Sequence, residues 1–120
     1  MKTILIADDS RFMRSFLKNK LQQQKQYTIV EATNGQEAID RYKLVKPDMA
    51  LLDITMPKVN GLTALKAIIE FDASATVIMC SAIGTESNTI EALSIGAADF
   101  IVKPNFDDLV IILKNLGNKN

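Results

Sequence analysis

The sequence predicts an α/β protein built on one doubly wound parallel sheet. Three observations point there. Five short apolar runs recur about every 20 to 25 residues along the 120-residue chain. Segments with helical periodicity lie between them. The connections are short, so alternation of the two element types implies a parallel sheet with helices on both faces.

Each element has its own warrant. The strands are TILIA (3–7), YTIVEA (27–32), MALLD (49–53), TVIMC (76–80) and DFIV (99–102). The third run is apolar from Met49 to Leu52, the pattern of a strand buried on both faces. Phe12, Met13, Phe16, Leu17 and Leu21 set the first helix by their 3.6-residue period. Asn34-Gly35-Gln36-Glu37 resembles a capping box ahead of Ala38, Ile39 and Tyr42, and Pro47 stops that second helix. Leu62, Leu65, Ile68 and Ile69 make the third helix. Ile90, Leu93 and Ile95 make the fourth, which Gly96 ends. Leu109, Ile112, Leu113 and Leu116 make the last, followed by Gly117. Five βα units consume the chain, so residues 1–120 are expected to form one domain with no effector domain.

Composition excludes several functions. Fourteen Lys and Arg balance fourteen Asp and Glu, which argues against a broad electrostatic grip on nucleic acid. With no histidine, His-based metal sites and His-dependent nucleophilic catalysis are excluded. The lone Cys80 lies in an apolar run and reads as a small core residue of a protein in a reducing, cytoplasmic setting. No segment approaches membrane-spanning length, and the apolar start of the chain runs straight into Asp8 and Asp9. The five glycines form neither GxGxxG nor a P-loop, so nucleotide binding has no support.

The polar residues that follow the strands fall in one place. Ligands of an open doubly wound sheet bind at the carboxyl ends of its strands. Asp8 and Asp9 follow the first run, Asp53 ends the third, Ser81 follows the fourth and Lys103 the fifth. The second brings nothing comparable, since Thr33 and Asn34 read as turn and cap. Each residue alone has an ordinary structural explanation; their convergence does not. Two carboxylates 4 Å apart repel by about 4 kcal/mol at an effective dielectric near 20, and one lysine cannot offset three. A divalent cation can, and an all-oxygen ligand set suits Mg²⁺. Mg²⁺ bridges carboxylates to phosphoryl oxygens, so an available carboxylate becomes a nucleophile that would carry an acyl phosphate.

Here the chain resembles a known family. DD at 8–9, DITMPKVNG at 53–61, SA at 81–82 and GAADFIVKP at 96–104 resemble the receiver domain of two-component response regulators, over nearly the whole chain. FMR at 12–14 strengthens the likeness to the stand-alone receivers of the CheY type. The resemblance implies a flavodoxin-like strand order of 2-1-3-4-5, for which CheY is itself a standard example. It implies that Asp53 is the phosphoacceptor, Asp9 a direct Mg²⁺ ligand, Asp8 its neighbour acting through water, and the Thr55 backbone carbonyl a further ligand. Ser81 and Lys103 would hold the phosphoryl group, and Ser81 and Phe100 would form a switch. The Lys103–Pro104 bond is typically cis in this family. Phe100 stands where chemotaxis receivers often carry Tyr, and Ile83 cannot place a water for a phosphatase.

The resemblance further implies partners. A sensor histidine kinase would donate from phosphohistidine, and a protein target, first of all a flagellar switch, would read a surface containing Thr89, Leu93, Phe100 and Val102. A phosphatase is a third partner; nucleic acid and membrane are not expected. A phosphorelay intermediate is the alternative pathway. A haloacid-dehalogenase-like phosphatase would share Asp, Mg²⁺ and Lys, but wants DxD after the first strand, where this chain has DDS.

Overall fold

The computed structural model describes residues 2–23, 27–82, 86–103 and 105–117. Ten elements alternate without exception: β1 Lys2–Ala7, α1 Arg11–Gln22, β2 Tyr27–Ala32, α2 Gly35–Val45, β3 Met49–Asp53, α3 Gly61–Phe71, β4 Val77–Ser81, α4 Glu86–Ile95, β5 Asp99–Val102 and α5 Leu109–Gly117. All strands pair in parallel in the order β2-β1-β3-β4-β5, as the resemblance implies. The chain steps outward from β1 to β2, then returns across β1 to β3. The topological switch therefore lies between β1 and β3, where an α/β sheet opens a crevice at its carboxyl edge.

Burial follows from this order. Every residue of β3 and β4 is buried, whereas the edge strands β2 and β5 are only partly so. Alternate side chains feed two cores. Leu5, Ala7, Ala50, Leu52, Val77 and Met79 point to the face covered by α2, α3 and α4. Ile4, Ile6, Met49, Leu51, Ile78 and Cys80 point to the face covered by α1 and α5.

Local sequence sets the helix ends. Ser10, Asn34 and Asn60 cap α1, α2 and α3, their side chains accepting from the N–H groups of Met13, Glu37 and Thr63. The expected capping box at α2 is modified. The Glu37 carboxylate reaches one residue further back and accepts from the N–H and hydroxyl of Thr33. That extra reach ties the turn after β2 to the helix. Ser81 is the last residue of β4 rather than the first of the loop, so its position is fixed by strand pairing with Val102.

At the far end from the acidic residues, buried Tyr42 of α2 donates its hydroxyl to Asp72 at 2.9 Å. Asp72 caps the end of α3 and also accepts from the Ser74 hydroxyl and N–H. The Ser74 hydroxyl and Tyr42 hold the Asp72 carboxyl below its ordinary range. A depressed carboxyl stabilises above its unfolded pKa, and the benefit is lost as pH falls through the lower folded value. Tyr42→Phe should cost about 1–2 kcal/mol at pH 7. The gap between variant and wild type in urea midpoint should narrow as pH drops below about 4.

Candidate functional site

The carboxyl edge of the sheet brings Asp8, Asp9 and Asp53 together, with one carboxylate oxygen of each within 4.8 Å of the others. Asp8 is 2% exposed and Asp53 7%, while Asp9 is open to solvent. Lys103 reaches in from the end of β5, its Nζ 2.5 Å from Asp8 Oδ2 and 3.3 Å from Asp53 Oδ1. Its own N–H is fixed by the Ser81 carbonyl at 2.8 Å. Ser81 is buried at the end of β4. Thr55 is exposed two residues beyond Asp53, and Phe100 is half-buried against the core on the α2–α4 face. The five residues read from strand ends thus share one edge. Ile83 and Pro104 lie outside the described residues.

Two backbone constraints hold Asp53 in place. The N–H of Ile54 bonds the Cys80 carbonyl at 3.1 Å, and the loop then folds back so that Gly61 N–H bonds the Ile54 carbonyl at 2.7 Å. This return brings the start of α3 against the end of β3. A Cβ on Gly61 would sit 2.0 Å from the Asp53 carbonyl oxygen. In the sequence Gly61 stands only as the last residue of DITMPKVNG; the fold needs it because no side chain fits beside the Asp53 carbonyl.

The electrostatics follow from burial. Loss of solvent pushes the Asp53 carboxyl up; Lys103 pulls it down, and Asp8 and Asp9 push it further up. Burial works against the Lys103 ammonium as well, but the hydrogen bond to Asp8 and the charge on Asp53 outweigh it and raise that pKa. Lys103 therefore stays charged. The Cys80 thiol, buried beside Asp53 in the sheet register, is pushed up to about 12, which makes it an inert core group. Asp8 is engaged at both carboxylate oxygens, Oδ1 accepting the Ser10 N–H at 2.9 Å and Oδ2 the Lys103 amine. The exposed Asp9 is better placed to meet a cation directly. Three hard oxygen donors around one point, with one amine insufficient to neutralise them, match the preferences of Mg²⁺.

The signature of the response regulator receiver domain matches residues 4–114. The chain belongs to the response regulator receiver family. The receiver is 48% identical over 103 residues to the chemotaxis protein CheY of Thermotoga maritima, covering 86% of both chains. It is 48% identical over 108 residues to that of Bacillus subtilis, covering 90% of both. Among solved structures it is similar to a CheX–CheY–BeF₃–Mg²⁺ complex from Borrelia burgdorferi, with a TM-score of 0.90 and 38% identity over 98% of this chain and 90% of that one. The response regulator domain of Thermotoga maritima CheB matches at a TM-score of 0.91 and 36% identity, covering 100% of this chain and 98% of that one.

One feature of the site was not legible as chemistry in the sequence. Arg14, quoted above only within FMR, donates from Nη1 to the Asp8 carbonyl at 2.7 Å and from Nε to Glu31 at 3.2 Å. Its helical position, facing the end of β2, is the only signal that could have found it.

A carboxyl whose folded pKa is raised stabilises the fold below its unfolded pKa, and that contribution is lost as pH rises through the folded value. At neutral pH without divalent cation, Asp53 is therefore a liability. Asp53→Asn in EDTA at pH 7 should raise Tm by about 3–5 °C, the shift that roughly 1 kcal/mol produces at this chain length. The gain should vanish below about pH 4, where the carboxyl is neutral in both states. A Tm that falls on this substitution in EDTA at pH 7 would refute the repulsion.

Proposed function

We propose that this receiver is a chemotaxis response regulator that acts as a stand-alone module, taking a phosphoryl group on Asp53 from the phosphohistidine of a sensor histidine kinase. The observation that carries the reading is the Lys103 amine set between Asp8 and Asp53, with Asp9 alongside at the mouth. CheY relatives that match over most of both chains support the pathway.

The chemistry follows from the residues. Asp53 must be ionised to attack, and Lys103, 3.3 Å from its Oδ1, opposes the upward push of burial on its carboxyl without outweighing it. One Asp53 oxygen attacks phosphorus in line as the P–N bond to imidazole breaks, and that bonding pair returns to the imidazole nitrogen. Asp8, Asp9, Asp53 and the Thr55 backbone carbonyl would hold Mg²⁺, which supplies neutralisation of the phosphoryl oxygens when bound. Lys103 transfers its hydrogen bond from Asp53 to a phosphoryl oxygen, and the Ser81 hydroxyl bonds another. The aspartyl phosphate is later hydrolysed by water, so the protein turns over its own modification and no separate substrate.

Output follows by packing. Ser81 and Phe100 lie on the paired strands β4 and β5, and Val102, on the same face as Phe100, is directly opposite Ser81. Drawing the Ser81 hydroxyl toward the phosphoryl group opens space for the Phe100 ring, a step between two discrete packings. Ile90, Leu93 and Val102 are exposed apolar residues around it, and with Thr89 they form the surface that a flagellar switch or similar target would read. Without a phenol at position 100, the target reads shape and apolar area. The Borrelia burgdorferi CheX–CheY complex supports a further protein partner, which we read as a phosphatase. No helix among the described residues is long and apolar enough to cross a membrane, consistent with work in the cytoplasm.

Acetyl phosphate with Mg²⁺ should add one alkali-labile phosphoryl group, located by mass spectrometry at Asp53. Asp53→Asn should remove it, and phosphate on Ser81 instead would overturn the mechanism. Beryllofluoride should raise target affinity in the wild type, and Ser81→Ala and Phe100→Ala should shrink that ratio. Full retention of the ratio in both variants would rule out the switch.

A further inference from the structure

The second strand brings no side chain to the carboxylates, yet it is tied to them. Its last residue, Ala32, accepts the Asp8 N–H at 3.1 Å. The residue before it, Glu31, pairs with Arg14 Nε at 3.2 Å, and Lys18 Nζ lies 3.7 Å from its other oxygen. Arg14 is mostly buried, with a side chain 12% exposed, and its Nη1 completes the link by donating to the Asp8 carbonyl. All four polar atoms of Asp8 are thereby engaged: N–H by Ala32, Oδ1 by Ser10, Oδ2 by Lys103 and the carbonyl by Arg14.

The carbonyl bond has a consequence for Asp9. The Asp8 carbonyl and the Asp9 N–H belong to one planar peptide unit. Holding the oxygen restrains that plane and so places the Asp9 N–Cα bond, leaving rotation about this one bond to aim the Cα–Cβ bond. Asp9 sits between the end of β1 and the Ser10 cap of α1, outside both elements and exposed. The Ser10 N–H on its far side is held by Asp8 Oδ1, so the two peptide units that flank Asp9 together set its orientation, and Arg14 acts on the first of them.

We propose that Arg14 is a positioning residue for the cation site, aiming the Asp9 carboxylate by clamping the Asp8 carbonyl. The inference rests on the reading of Asp8, Asp9 and Asp53 as the Mg²⁺ site. Arginine suits the task because its rigid fork serves two acceptors at once, here a carbonyl on the β1–α1 turn and a carboxylate on β2. Glu31 offsets the guanidinium charge. The site then receives a directed hydrogen bond without a further full positive charge to oppose a divalent cation. The second strand thus acts on the site at one remove, through a residue of the first helix.

Calorimetric titration of Mg²⁺ into the full chain tests this, at a temperature where circular dichroism shows every variant folded. Arg14→Met, of similar length but without donors, should bind Mg²⁺ about tenfold more weakly, as loss of a group that orients a metal ligand does. Arg14→Gln is too short to reach the carbonyl and should show the same loss, which keeps the test decisive if the methionine variant does not fold. Arg14→Lys keeps a donor but loses the fork that serves the carbonyl and Glu31 together, so it should bind Mg²⁺ more tightly than Arg14→Met and more weakly than the wild type. Tyr42→Phe should lower stability and leave Mg²⁺ affinity unchanged, separating positioning from general weakening. Wild-type affinity in a folded Arg14→Met or Arg14→Gln would overturn the proposal. Failure of the wild type to bind Mg²⁺ would instead overturn the cation-site reading beneath it.

Discussion

The structure depends on holding like charges together at the edge of its core. Asp8 follows the end of β1 and Asp53 ends the adjacent β3, both buried, with Asp9 beside them, and repulsion between such groups is strong where water is excluded. Among the described residues Lys103 is the cation that meets both buried carboxylates. Its path explains why the amine must be a lysine. β5 is separated from β3 by β4, roughly 10 Å at ordinary strand spacing, so only a long side chain turned inward over the end of β4 can cross. The Lys103–Asp8 bond closes a loop of 95 positions in sequence, joining the first strand to the last.

The rest of the edge is rigid where the chemistry needs it rigid. Asp8, Ile54, Gly61 and Lys103 each have their backbone N–H fixed by a neighbouring strand or loop carbonyl. The carboxylates therefore cannot relax apart by moving their chain, and their repulsion remains available to a cation. Support from regular elements beneath a reactive constellation gives it better positional definition than loops alone could. The cost is stability: a buried carboxyl with a raised pKa weakens the cation-free fold at neutral pH.

The two layers of helices divide the work differently. α1 supplies both the cap that starts behind Asp9 and the arginine that reaches the Asp8 carbonyl, so it belongs to the site as well as to the core. α4 instead exposes Ile90 and Leu93 beside the edge strand β5, whose Phe100 is half-buried and whose Val102 is exposed. That edge is where a packing change at the carboxyl end of β4 has least distance to travel before it alters surface shape. Tyr42 and Asp72 anchor α2 to α3 at the opposite end, away from any such movement.

The sequence by itself determined the five βα units, because apolar period is a local property that burial on one or two faces imposes on every strand and helix. It also determined the candidate site, because the carboxyl ends of parallel strands converge whatever their order, and Asp8, Asp9, Asp53, Ser81 and Lys103 all stand at such ends. The order β2-β1-β3-β4-β5 was legible only through resemblance, since periodicity says nothing about which strands are neighbours. Tertiary structure alone decided the rest. It made Asp8 buried and Asp9 exposed, although they are identical neighbours in the chain. It required glycine at position 61 by folding a loop back onto the Asp53 carbonyl, and it recruited Arg14 by placing the end of β2 beside α1. These are consequences of distances between segments remote in sequence, and such distances exist only once the sheet has formed.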